Sequence, residues 1–236
     1  MTILAFECCF GACSASLRWQ DGGRTHAVSR LEVMERGHSE RMVPMIAEIL
    51  AEANLAIGDV DAFAVTIGPG SFTGVRTGIA VARGFALATG KPVHGTSSLH
   101  VMAAGLRQTY PEGPIAIAIS TRDGLVYFQT FDGANASPQI EPRLATPEAA
   151  VAAMAGIAHI IGGTGAGLIV AAAGQIGQTL EQVSGRVDAD AAVLARLAPG
   201  LPVLSPPHPL YLREPDAKPQ PGVLIQRTDQ RPETSV

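Results

Sequence analysis

Residues 65–90 read VTIGPGSFTGVRTGIAVARGFALATG, an apolar run, a glycine-rich turn and a long helical segment. A strand leading through glycines into a helix is how many phosphate sites are built, so two phosphate motifs are the first test. A P-loop needs G-x-x-x-x-G-K-[ST]; no lysine follows these glycines, and the nearest cation is Arg76. A dinucleotide fingerprint needs G-x-G-x-x-G and an acidic residue about 20 positions on. Gly68 and Gly70 supply the first half, but Thr73 stands at the third glycine position, and Gly90, Lys91 and Pro92 bring no carboxylate. Neither motif fits, which leaves a steric reading. Gly68-Pro69-Gly70 makes a sharp turn, and Ser71 or Thr73 can cap the helix that follows; a small anion at that helix start stays open. Along the helix Gly74, Gly78, Val81, Phe85 and Ala88 share one face. Each glycine costs a helix roughly 1 kcal/mol, and a sequence keeps such glycines where another backbone must come close. The neighbour is either the chain's own sheet or a helix of a second chain.

With 236 residues, 47% of them hydrophobic and 16% charged, the chain can bury a substantial core. A formal charge of −4 and no basic run argue against an autonomous nucleic-acid binder. The opening MTILAFECCF has no basic leader, Glu7 interrupts its apolar run, and no later stretch offers 18 consecutive apolar residues, so the expectation is a cytoplasmic protein without a membrane span. Cys8, Cys9 and Cys13 are crowded together with no histidine at a zinc-ligand spacing, which reads as buried small hydrophobes. No nucleophile is prepared: Ser71 has no local histidine, Asp123 and Asp132 have no partner carboxylate, and G-x-S-x-G is absent.

The pattern predicts strands at 2–7, 12–20 and 24–33, the last two joined at Asp21-Gly22-Gly23, then a helix from Ser39 to Asn54 capped by Ser39 and kinked or delayed by Pro44. A strand at 61–67 and the glycine-faced helix complete a βββαβα order. About 113 residues later the order returns: PIAIAIS, LVYFQTFD and 139–144 as strands, a helix at 146–155 opened by Thr146-Pro147, and IAHIIGG as a strand. Two such halves suggest an α/β fold of the actin-like and Hsp70-like kind, a duplicated ribonuclease-H-like unit, with lobes at 1–110 and 111–213. Residues 214–236, rich in proline and polar side chains, read as an extended or disordered tail.

Five stretches carry a family resemblance: ILAFECCFGACSASL, RGHSERMVPMI, GPGSFTGVRTGIAVARGFA, KPVHGTSSLHVMA and PLYLREPDAK. Over residues 1 to about 218 the chain resembles the TsaB (YeaZ) family. The resemblance implies a non-catalytic dimerisation subunit of the tRNA threonylcarbamoyladenosine machinery, partnered with the synthase TsaD and a TsaE-type ATPase, reaching tRNA only through the complex and allowing a homodimer when alone. It implies no cofactor on this chain alone, with ATP or ADP in the assembled complex. It assigns the partner surface to Gly74, Gly78, Val81 and Arg76, with His38 and Arg41 of the earlier helix. The related catalytic subunit holds a metal on two histidines four apart after a Pro-Val-His segment; here Gly95 and Leu99 occupy those positions, and neither donates to a metal. His94 and His100 are six apart. Actin-like ATPases open with Asp and a hydroxyl residue at the first phosphate loop, where this chain has Glu7-Cys8-Cys9-Phe10-Gly11. Glu7 and Gly11, with Gly163 and Gly165 of IIGGTGAG, are the candidates for a vestigial nucleotide region, although a strand-to-helix turn explains the latter two equally well. A (glyco)metallopeptidase and a small-molecule kinase on the same fold are the alternatives.

Overall fold

The computed structural model describes residues 1–213; the predicted tail at 214–236 lies outside the described residues. Strands β1 (Ile3–Glu7), β2 (Ala12–Asp21) and β3 (Arg24–Val33) form an antiparallel meander, followed by helix α1 (His38–Glu52), β4 (Ala62–Thr66), α2 (Phe72–Thr89), β5 (Val93–Thr96) and α3 (Ser98–Leu106). The sheet order is β3-β2-β1-β4-β5, with β4 and β5 parallel to β1. The second half repeats the plan. Strands β6 (Ile115–Ser120) and β7 (Val126–Asp132) pair antiparallel, and β7 also pairs with the short β8 (Ser137–Pro138) and β9 (Arg143–Ala145). After α4 (Pro147–Met154), β10 (Ile160–Gly162) returns parallel to β6; α5 (Ala166–Gln175), β11 (Glu181–Gln182) and α6 (Ala191–Leu197) follow. The central strand of each sheet thus has an antiparallel neighbour on one side and a parallel one on the other, which is the duplicated actin-like architecture.

Because side chains alternate across a strand, each central strand serves two cores. Leu4 and Phe6 of β1, with Phe63 and Val65 of β4, face an outer core with Met42, Met45, Ile46 and Ile49 of α1 and Ala82 of α2. Ile3, Ala5 and Ala64 face inward, onto α3, α6 and the inner residues Ile115, Ile117 and Ile119 of β6. Ala116 and Ala118 point the other way, to α4 and α5. The helices between the sheets are shared: α3 lies against β6 and β7, while α6 packs on β1 and β2.

Two local expectations are corrected. Gly37 turns the chain with φ 87°, so α1 begins at His38, with Arg41 N–H donating to Gly37 O at 3.0 Å. Ser39 is therefore already helical and its hydroxyl donates to Glu40 Oε2 instead of capping. Pro44 neither delays nor ends the helix: it sits on the exposed side, where water can reach the Glu40 carbonyl that it leaves without an amide donor. Among the described residues no helix is long and apolar enough to cross a membrane.

Candidate functional site

The glycine-faced helix decides which surface the chain presents. Ser71 caps α2, its Oγ accepting from Gly74 N–H at 3.0 Å, and Gly70 and Gly74 lie directly over the loop that follows β1. A Cβ on Gly74 would overlap the carbonyl oxygen of Cys8, and one on Gly78 would come within 3.3 Å of Val65 Cγ2. The close neighbour of these two glycines is thus the chain itself, and their face is not free for a second chain. Val81 is half-buried against the outer core, beside Phe85. Arg41 is also committed internally: it donates to both carboxylate oxygens of Glu32 at 2.6 and 2.8 Å and to both of Glu48 at 2.6 and 2.8 Å, tying β3 to α1. Of the six residues assigned to a partner surface, Arg76 alone stands fully on the outside, while His38 lines a cavity at the start of α1.

The outward face of α2 carries Arg76, Ala80, Arg83, Gly84 and Leu87. Leu87 is 90% exposed, and nothing lies within 4 Å of a Cβ built on Gly84. Val43 of α1 is exposed on the neighbouring helix. Motif and period did not reveal the segment that frames this face. Residues 201–213 return from the second lobe to the first: Leu204 N–H donates to Val93 O, Gly95 N–H to Pro202 O and Leu210 N–H to Ile67 O. Tyr211 then stacks on Phe72, its hydroxyl accepting from Arg76 Nε at 2.8 Å, and the Arg76 guanidinium sits 3.7 Å from the Phe72 ring centroid. Only PLYLR, quoted for the resemblance, signalled this segment in the sequence.

The two positions that the resemblance matches to metal ligands are occupied by packing. A Cβ on Gly95 would overlap Leu204 Cδ1, and Leu99 is wholly buried in the core between the sheets. His94 Nδ1 pairs with Leu201 O at 2.9 Å. His100 Nε2 faces Asn135 O at 3.1 Å and must carry the proton, leaving Nδ1 to accept from Thr96 Oγ1 at 2.8 Å. Burial holds the His100 pKa below its usual value. Among the described residues no group of three His, Cys, Asp or Glu is placed to hold a metal.

Glu7 is 1% exposed; its Oε1 accepts from Cys9 N–H at 2.5 Å and from Thr66 Oγ1 at 3.4 Å. Burial pushes its pKa up to about 7, only partly offset by those hydrogen bonds. A carboxylate sealed in this way cannot reach a phosphate-bound cation. Burial also raises the pKa values of Cys8, Cys9 and Cys13, which leaves no thiolate nucleophile at neutral pH. Gly163, at φ 98°, lets the turn after β10 lie on the Ala118 carbonyl, and Gly165 lies against Ser120 N and Val126 Cγ1. Gly11 lines the cavity that His38 shares; Gly163 and Gly165 do not.

A family model described as TsaD, tRNA N6-adenosine threonylcarbamoyltransferase, matches residues 32–161. A solved structure titled as an uncharacterised protein with similarity to peptidase YEAZ from Pseudomonas aeruginosa superposes with TM-score 0.77 at 30% identity, covering 90% of this chain and 99% of that one. The chain belongs to the TsaB/YeaZ family. YeaZ from Pseudomonas aeruginosa superposes with TM-score 0.70 at 29% identity over 85% of this chain and 92% of that one. The tRNA threonylcarbamoyladenosine biosynthesis protein TsaB of Escherichia coli is 38% identical over 131 residues, 56% of this chain and 55% of its own length. The chain therefore spans about half the length of the curated relatives it matches.

Proposed function

We propose that the chain acts in tRNA threonylcarbamoyladenosine biosynthesis as a non-catalytic scaffold subunit that binds and activates the synthase TsaD, in an assembly that a TsaE-type ATPase also joins. The observation that carries this reading is the contrast within one lobe. Gly95 and Leu99, where the related catalytic subunit has metal ligands, are filled by Leu204 and by core packing, while the outward face of α2 stays open at Gly84 and at Leu87, which is 90% exposed, beside Arg76 and Arg83 held by Tyr211 and Pro207. The partner surface in this reading is Arg76, Ala80, Arg83, Gly84 and Leu87 with Val43 of α1, and not the inward glycines. Small residues at Ala80 and Gly84 would let a partner helix approach closely, and Leu87 would supply an apolar anchor. Nucleotide and tRNA engage the assembly and not this chain alone.

Gly84→Gln tests it. The substitution adds a side chain where there is room and raises helix propensity, so the fold stays intact. Association with TsaD, measured by calorimetric titration, is expected to weaken by roughly tenfold or more, since overpacking a tight contact costs about 1–3 kcal/mol. Unchanged association of this variant and of Leu87→Asp would refute the assignment of the surface.

A further inference from the structure

Two cavities, of about 600 and 580 Å³, lie between the outward face of α2 and the returning segment 203–211, and they share Arg83 as a wall. The one beside Tyr211 is basic, bordered by Arg76, Arg83 and His208. Arg76 donates to the Tyr211 hydroxyl and Arg83 to the Pro207 carbonyl, both neutral acceptors, and among the described residues no carboxylate lines either cavity. Both guanidinium charges are therefore uncompensated. The other cavity is apolar: Ala86, Leu87, Pro92, Val203, Leu204 and Pro206 make most of its wall, with Leu87 90% and Val203 57% exposed. A basic pocket running into an apolar one makes a groove with two chemistries in a fixed order. The sequence after Arg213 offers the complementary chemistries in the same order, EPDAKPQPGVLI, with Glu214 and Asp216 first and the apolar triplet Val223-Leu224-Ile225 after them.

We propose that residues 214–225 fold back along this groove, with Glu214 and Asp216 against Arg76, Arg83 and His208, and with Val223, Leu224 and Ile225 over Leu87, Val203 and Leu204. The lengths agree. Tyr211 lies on Arg76, at the basic end, and Leu87 is eleven positions further along α2, about 17 Å at the helical rise. The nine residues from Glu214 to Gly222 can span up to about 30 Å. A short tether also holds the triplet near the groove at an effective concentration in the millimolar range, so a shallow site suffices, and Pro215, Pro219 and Pro221 reduce the freedom lost on docking. The docking needs no partner. Arg76, Arg83 and Leu87 also belong to the surface assigned above to TsaD, so on that reading, and only on it, the tail must be displaced before the partner docks.

The test is methyl-resolved NMR of the full chain, labelled at leucine and valine, beside Leu224→Asp. The signals of Leu87, Val203 and Leu204 are expected to differ between the two, while those of Leu17 in the outer core stay in place. A synthetic peptide of residues 214–229 added to Leu224→Asp is expected to return the three residues' signals to their parent positions. It should bind the parent roughly tenfold more weakly or worse, because there the chain's own tail holds the groove. A peptide carrying Glu214→Gln and Asp216→Asn should bind Leu224→Asp roughly threefold more weakly or worse at low ionic strength. The proposal is overturned if the three residues' signals are the same in parent and Leu224→Asp, including the case in which they move only with protein concentration and a second copy fills the groove. It is equally overturned if about 1 mM peptide shifts none of them in Leu224→Asp, or if the neutralised peptide binds as tightly as the original.

Discussion

Adding one methyl group to α2 at Gly74 or at Gly84 is expected to change stability in opposite directions. A Cβ on Gly74 would overlap the Cys8 carbonyl oxygen, lie 3.1 Å from its carbon and press within 2.7 Å of Ser71 Oγ, the cap of the helix. Forcing the loop after β1 away costs about 1–3 kcal/mol, and disturbing the cap about 1 kcal/mol more; the better helix propensity of alanine returns roughly 1 kcal/mol. The net is a loss of about 2 kcal/mol. At Gly84 nothing lies within 4 Å, so propensity acts alone and Gly84→Ala gains up to about 1 kcal/mol. In a chain of this size each kcal/mol moves the thermal midpoint by roughly 2–4 °C, so Gly74→Ala should melt about 4–8 °C lower and Gly84→Ala about 2–4 °C higher. Calorimetric melting of the two variants beside the parent decides it. If both moved in the same direction, the steric account of the glycine face would be wrong.

Glu7 gives a pH prediction: its pKa rises from 4.5 to about 7 on folding, so its stabilising contribution is complete below about pH 4.5 and gone above about pH 7. The loss is about 3 kcal/mol, and unfolding free energies from urea titration of parent and Glu7→Gln should diverge by that amount between pH 4.5 and 8; parallel pH dependence would contradict it. Arg107 is 8% exposed and donates to the carbonyls of Tyr110, Gly113 and Phe131, so Arg107→Met should cost about 2 kcal/mol by removing the charged donor from all three, the Phe131 carbonyl being buried, read as a lower urea midpoint. Arg41→Met should lower the thermal midpoint modestly at low salt, and the difference should shrink at high salt because both ion pairs are on the surface.

Much of the first lobe was legible because local signals agreed with the fold. The hairpin at Gly22-Gly23, the periodicity of α1 and the Ser71 cap all follow from sequence pattern. The close approach at Gly74 and Gly78 was legible too, but whether it lay within the chain or between chains was not, because glycine spacing gives the face and not the neighbour. Helices α3 (SLHVMAAGL) and α6 (AAVLARL) lie between two sheets and are apolar on nearly every side, so they show no amphipathic period. The return of residues 201–213 rests on backbone pairs to Val93, Gly95 and Ile67, more than a hundred positions away, which no local pattern encodes.

The central claim is that this chain activates TsaD without supplying catalytic groups, and the most direct test is formation of threonylcarbamoyladenosine on tRNA by TsaD with and without it. The account predicts no product from this chain alone, little from TsaD alone, product when the two are combined, and loss of that gain with Gly84→Gln although the variant melts no lower than the parent. Product formed by this chain in the absence of TsaD, or a TsaD rate indifferent to its presence, would contradict the account.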